Sequence, residues 1–157
     1  MAGDYRILVA IDLKTGTDRL VAEARRYGQA FNATVNILHV VEPDPTFVGY
    51  IKADDLEEQD KVDPVREPHA EDLRAEHRHT QNYGAILRQN GVRVDRTLTV
   101  QGPALTIILE EARKLNSDLL ILGSHHHSAL YRFWYGDTAT AIAKQPPCAL
   151  LLIPVSR

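Results

Sequence analysis

Apolar runs alternate with amphipathic stretches along the whole chain, and that alternation is the first guide to its fold. Residues 5–11 are apolar, rich in β-formers, and stop at Asp12 and a Lys-Thr-Gly-Thr turn, which predicts a buried first strand. Leu20, Ala24, Tyr27, Gly28 and Phe31 then recur at helical spacing with charged residues on the other faces. Residues 34–41 predict a second strand, closed by Glu42-Pro43-Asp44-Pro45, whose prolines cannot extend a ladder. Residues 46–68 are charged, interrupted by Pro64 and Pro68 and without sustained periodicity, so a long loop is expected there, with one short helix over 53–61. Leu73, His77, Thr80, Tyr83, Gly84 and Leu87 mark a helix over 69–89 with a thin buried stripe, stopped by Asn90-Gly91. Residues 93–100 alternate polar with apolar, the pattern of a third strand less buried than the first and near a sheet edge. Gly102-Pro103 opens a helix through Leu105, Ile108, Leu109, Ala112 and Leu115, and residues 119–122 form a fourth strand. A last helix is expected over 137–144, broken by Pro146-Pro147 before a fifth apolar strand.

The order β-α-β-α-β-α-β-α-β predicts an α/β fold: one doubly wound domain over residues 1–157, a five-stranded parallel sheet with four main helices and right-handed crossovers. Ligands of such sheets gather beyond the strand carboxyl ends at the topological switch point, here Asp12 and Gly123.

Composition narrows the classes. With 157 residues the chain fits one domain, and a formal net charge of −3 gives no broad basic face for nucleic acid. A lone cysteine, Cys148, makes no internal disulfide, which fits a cytoplasmic protein, and no segment has the length and apolarity to span a membrane. The N-terminus reads as a strand, not a signal peptide. Several chemistries lack their parts. There is no Walker lysine, no Gly-x-Ser-x-Gly elbow and no Gly-x-Gly-x-x-Gly. Asp12 lacks the acidic and lysine partners of a phospho-accepting receiver domain. Cys148, in an apolar run, reads as a packed residue and not a nucleophile. His125, His126 and His127 are consecutive, an arrangement that rarely converges on one metal, and with no nearby Cys or paired carboxylate to complete a shell they read as a polar loop; His77 and His79 do not share a helix face. Phe133, Trp134 and Tyr135 read as rings packed over the sheet end, with an exposed partner patch as the functional alternative.

Taken together, ILVAID at residues 7–12, LHVVEP at 38–43, the Gly102-Pro103 helix start, DLLILGSHHH at 118–127 and CALLLIPV at 148–155 resemble the universal stress proteins. The resemblance spans nearly the whole chain except residues 46–68 and implies an adenine nucleotide α-hydrolase-like fold. It also implies a homodimer through the last strand, which here would use Ala149, Leu150, Leu151, Leu152, Ile153, Pro154 and Val155. An edge strand that apolar invites aggregation unless paired, and a two-fold copy pairs it.

The nucleotide-binding branch of that family carries a glycine, two residues, a second glycine, nine residues, then glycine and a hydroxyl residue. In this chain Gly123 fills the first position, His126 replaces the second glycine, Gly136 fills the third, and Asp137 replaces the hydroxyl residue. The resemblance implies Asp12 as a contact to adenine or ribose, Val40 or Val41 as backbone contacts to the base, and Gly123 and Gly136 as phosphate-loop positions. Two departures oppose phosphate. His126 gives up the positive φ and close approach of glycine, although a protonated imidazole attracts phosphate. Asp137, at an expected helix start, accepts backbone N–H groups itself and so supplies the anion that a phosphate would have been. At about 4 Å from a phosphate oxygen and an effective dielectric of ~20, its repulsion is about 4 kcal/mol, roughly a thousandfold in affinity. A bridging Mg²⁺ reverses that sign, and Thr138 is placed to take over the hydroxyl role if the loop shifts.

The favoured expectation is therefore a non-enzymatic, dimeric stress-response protein with a degenerate loop, similar to the universal stress protein A-like branch, acting on an unknown protein partner. The alternative is an ATP- or AMP-binding switch or slow ATPase. A nucleotide-dependent transferase is the weakest expectation, because no nucleophile or general base is assignable.

Overall fold

The computed structural model describes residues 4–14, 16–41, 51–52, 67–124 and 145–154. The first strand, β1 (Arg6–Ile11), leads into helix α1 (Thr17–Ala30) and strand β2 (Thr34–Val41). A two-residue strand, β3 (Ile51–Lys52), precedes helix α2 (Glu67–Gln89) and strand β4 (Arg93–Gln101). Helix α3 (Ala104–Lys114), strand β5 (Leu119–Ser124) and strand β6 (Ala149–Pro154) complete the described elements. The sheet order is β3-β4-β2-β1-β5-β6. Five of these strands run parallel, as the pattern predicts, and the chain reverses its winding direction between β2 and β5 on either side of β1.

Alternation along the strands builds two cores. Ile7, Val9 and Ile11 of β1 with Val35 and Ile37 of β2 face Leu20, Val21 and Ala24 of α1 and Leu87 of α2. Leu8 and Ala10, with Leu38, Leu98, Leu120 and Leu122, face Ile107, Ile108, Ala112 and Leu115 behind α3. Period-two side chains with apolar residues on both faces are what a sheet covered on both sides requires. All three helices close on a left-handed residue, Asn32, Gly91 and Asn116 in turn. In each case the next N–H bonds back over the helix end, Ala33 to Gly28, Val92 to Leu87 and Ser117 to Ala112.

Several expectations change in the structure. The segment predicted as loop contributes β3, antiparallel to Val100 and Gln101, so the parallel sheet gains a short sixth strand. The helix expected over 53–61 and the one over 137–144 lie outside the described residues. Helix α2 starts at Glu67 and takes Pro68 into its first turn, where the missing N–H has no intrahelical partner to lose. Pro103, at the expected helix opening, is the N-cap of α3. The buried face of α3 turns to Ala104, Ile107, Ile108 and Glu111, leaving Leu105 and Leu109 half-buried; Glu111 is tolerated there because Lys114 pairs with it at 3.1 Å. Strand β4 is next to the edge, exposed in its first half and buried from Leu98 to Gln101. Phe31 lies past the end of α1 and is 50% exposed, stacked on Tyr5 at 4.8 Å instead of packed in the core.

Candidate functional site

Register differences around β1 shape the candidate site. Pairing of β1 with β2 ends at Ile11↔His39, yet β2 continues beside β4 to Val41↔Gln101. On the other flank, pairing of β1 with β5 ends at Ala10↔Leu122, while β5 continues beside β6 to Ser124↔Pro154. Val40 and Val41 on one side therefore rise two residues past the end of β1, and on the other side Gly123 is level with Ile11 and Ser124 rises one residue past it. At ~3.3 Å per strand residue the β2 wall stands about 7 Å above the end of β1 and the β5 wall about 3 Å. Asp12 is the first residue of that floor.

The turn after β1 is held by Asp12 itself. Its Oδ1 accepts from the Lys14 N–H at 3.0 Å and from the Thr17 hydroxyl at 3.3 Å. Leu13 and Gly16 take positive φ, and α1 starts with no side-chain cap hydrogen bond. The carboxylate is thus set beside the first turn of α1, where exposed N–H groups and the helix dipole favour negative charge.

Main-chain direction separates Val40 from Val41. The Val41 carbonyl accepts from the Gly102 N–H at 3.1 Å, on the β4 side. Because main-chain groups of successive residues in a parallel strand point to opposite neighbours, those of Val40 point toward the side from which β1 has departed. Val40 is therefore the one of the two expected residues whose backbone faces the notch. Gly123 lines the opposite wall, buried and without a side chain to fill the gap. The structure brings Asp12, Val40 and Gly123 around one notch; His126, Gly136, Asp137 and Thr138, together with His125, His127 and the aromatic run 133–135, lie outside the described residues.

The polar layer beneath the notch has no counterpart in the expected site. His39 of β2 is 4% exposed. Its Nδ1 donates to the Ile11 carbonyl at 2.9 Å, and its Nε2 meets the Glu76 carboxylate of α2. Next to it, the Thr80 hydroxyl donates to the Glu76 carbonyl at 3.0 Å and accepts from the Thr99 hydroxyl at 3.2 Å. With its proton so committed, Thr99 accepts from His77 Nδ1 at 3.1 Å. The available signal was His39 itself: a histidine inside an apolar run, in phase with Val35 and Ile37, must find a buried partner.

Other candidates resolve simply. No His, Cys, Asp and Glu cluster suited to a metal occurs among the described residues. Cys148 packs half-buried against the α3-side core. Burial, and then the charge of Asp118, push its thiol pKa up, opposite to what a nucleophile needs. No helix among the described residues is long and apolar enough to cross a membrane.

A doubly wound parallel sheet with an acidic residue and a glycine at its switch-point notch defines an adenine nucleotide α-hydrolase-like domain. The model of the universal stress protein family matches residues 5–154, and the chain belongs to that family. It is 29% identical over 147 residues to universal stress protein A homolog 1 of Coxiella burnetii, covering 94% of each chain. A universal stress protein solved in complex with cAMP superposes with a TM-score of 0.60 at 18% identity, covering 98% of both chains. The universal stress protein of Archaeoglobus fulgidus, solved in complex with dAMP, gives 0.57 at 14% identity over 95% of this chain and 97% of that one.

Proposed function

We propose that this chain is a non-catalytic regulatory member of its family that takes an adenine mononucleotide at the β1 notch and works as a cytoplasmic homodimer. The stepped register carries the reading: β1 stops two residues short of β2 and one short of β5 and leaves a slot lined by Asp12, Val40 and Gly123. The Val40 N–H and C=O offer one donor and one acceptor, the complement of an adenine edge, and Asp12 accepts from ribose hydroxyls. Two relatives of the same fold, solved with cAMP and with dAMP, support a nucleotide carrying one phosphate. Asp137, in the position of the family's hydroxyl residue, opposes the further charge of a triphosphate. Gly123 and Gly136 would border the phosphate, and Mg²⁺ would enter only with a longer phosphate chain bridged to Asp137.

Regulation fits better than catalysis, because Asp12, Val40 and Gly123, the described residues lining the notch, supply no nucleophile paired with a base. The dimer reading rests on β6, an edge of the sheet among the described residues, where Leu152 is 43% exposed. Heat-denaturing freshly purified protein and analysing the supernatant by mass spectrometry should release AMP or cAMP. Calorimetry should then give tighter binding of AMP than ATP, and Asp137→Ser should narrow that gap. No released nucleotide, together with flat titrations of all three, would refute the reading.

A further inference from the structure

Between the sheet and α2 lies a contact that fixes the floor of the notch from below. Ile11 is the last residue of β1, and its carbonyl is the main-chain group directly before Asp12. That carbonyl accepts from His39 Nδ1, so this ring nitrogen carries a hydrogen. The other ring nitrogen faces a Glu76 carboxylate oxygen. Two lone pairs repel at that separation, so one proton must lie between them, whichever atom it is counted on. The imidazole is thereby held at both ends, with one end on the sheet and the other on a helix 37 residues away in sequence.

We propose that His39 is a positioning residue for the strand-end site: anchored by Glu76, it holds the Ile11 carbonyl and so sets the turn in which Asp12 binds the Lys14 N–H and the Thr17 hydroxyl. The inference rests on the notch being the ligand site. It adds a partner that reaches the notch from α2. His39 is almost wholly buried, whereas the Glu76 side chain is 39% exposed. The anchor therefore sits at the rim, where it can be altered without opening the core. Among the described residues, the groups facing the ring are the Ile11 carbonyl from β1, Glu76 and, one residue on, His77 from α2, and from β4 the Thr99 that pairs in register with it. His77 is committed to Thr99 through its Nδ1, and Glu76 is the carboxylate among them.

The test reads the turn without any nucleotide. In ¹⁵N-labelled protein, Glu76→Ala should speed amide exchange at Lys14 and Thr17 by on the order of tenfold, the value of one charge-assisted hydrogen bond, while the amides of Leu120 and Ile121 in the sheet centre stay unchanged. The ¹⁵N resonances of His39 should show a protonated Nδ1 in the wild-type protein and a mixture of tautomers in Glu76→Ala. Glu76→Gln, whose amide can still donate to the ring, should restore both signals. His39→Phe should reproduce the loss at Lys14; if it does not fold, the two Glu76 variants decide. Equal acceleration at every amide, or none at Lys14, would overturn the assignment. An AMP titration of the wild-type protein is independent: no binding with the selective exchange intact defeats the ligand reading alone, and binding with uniform exchange defeats the positioning role alone.

Discussion

Cys148 illustrates how the tertiary environment sets the chemistry of a single residue. Its thiol is half-buried against the α3-side core, and burial followed by the Asp118 carboxylate raises its pKa. A raised pKa in the folded state keeps the thiol protonated at neutral pH. Any stability linked to that proton is complete below the unfolded-state pKa and is lost as pH rises through the folded one. The expected outcome is slow alkylation of the native protein by iodoacetamide at pH 8, accelerating more steeply toward pH 10 than an unfolded control. A native rate equal to that of the urea-unfolded chain would contradict it. Tyr83 points the same way: burial first, and then its hydrogen bond to Asp18 at 2.9 Å, raise its phenol pKa. Both groups therefore favour the fold below the alkaline range and weaken it above. Sequence alone identified Cys148 as a packed residue, but the carboxylate beside it comes from 30 positions away and was invisible there.

At the scale of the element, α2 is the helix whose position matters most to the site. It approaches β4 so closely that a methyl group on Gly84 would lie 2.6 Å from Thr97 Cγ2. Thr97 is β-branched and has little rotamer freedom with which to yield. Gly84→Ala should therefore destabilise the protein by about 1–3 kcal/mol despite the gain in helix propensity, and Thr97→Ser in the same chain should recover most of the loss. Chemical denaturation of the two single variants and the double variant measures this directly. An additive result would show that the contact is not the cause. Of the stripe Leu73, His77, Thr80, Tyr83, Gly84 and Leu87 that was legible from spacing, five positions are buried and Tyr83 is half-buried at its edge. Their polar partners were not legible, because Thr99 and His39 belong to strands brought alongside only by the sheet.

The whole molecule is organised around the two edges of its sheet. One edge carries the two-residue antiparallel β3, and the other is β6, whose Leu152 is exposed while Ile153 is buried. On the proposed dimer, light scattering should give twice the monomer mass for the wild-type protein and the monomer mass for Leu152→Glu, with no change in the helical signal in circular dichroism. Unchanged mass at micromolar concentration would remove β6 from the interface. Ala149, Leu150, Leu151, Leu152, Ile153 and Pro154 all belong to β6, and Val155 lies beyond the described residues. The apolar run alone identified the strand; only the sheet order made it an edge, because a strand's neighbours depend on crossovers and not on its own residues.

Local pattern was sufficient for the five parallel strands, the three described helices and the Asn90-Gly91 stop of α2, since hydrophobic period and cap residues act within a few positions of one another. It was also sufficient to put Asp12 and Gly123 at strand ends. What needed the tertiary structure was relative height: β1 ends before β2 and β5, and no residue of β1 states how far its neighbours continue. The same holds for the His39–Glu76 contact. Its two side chains meet because packing of α2 on the sheet overrides their separation along the chain, and a buried imidazole is stable there only once that partner has arrived.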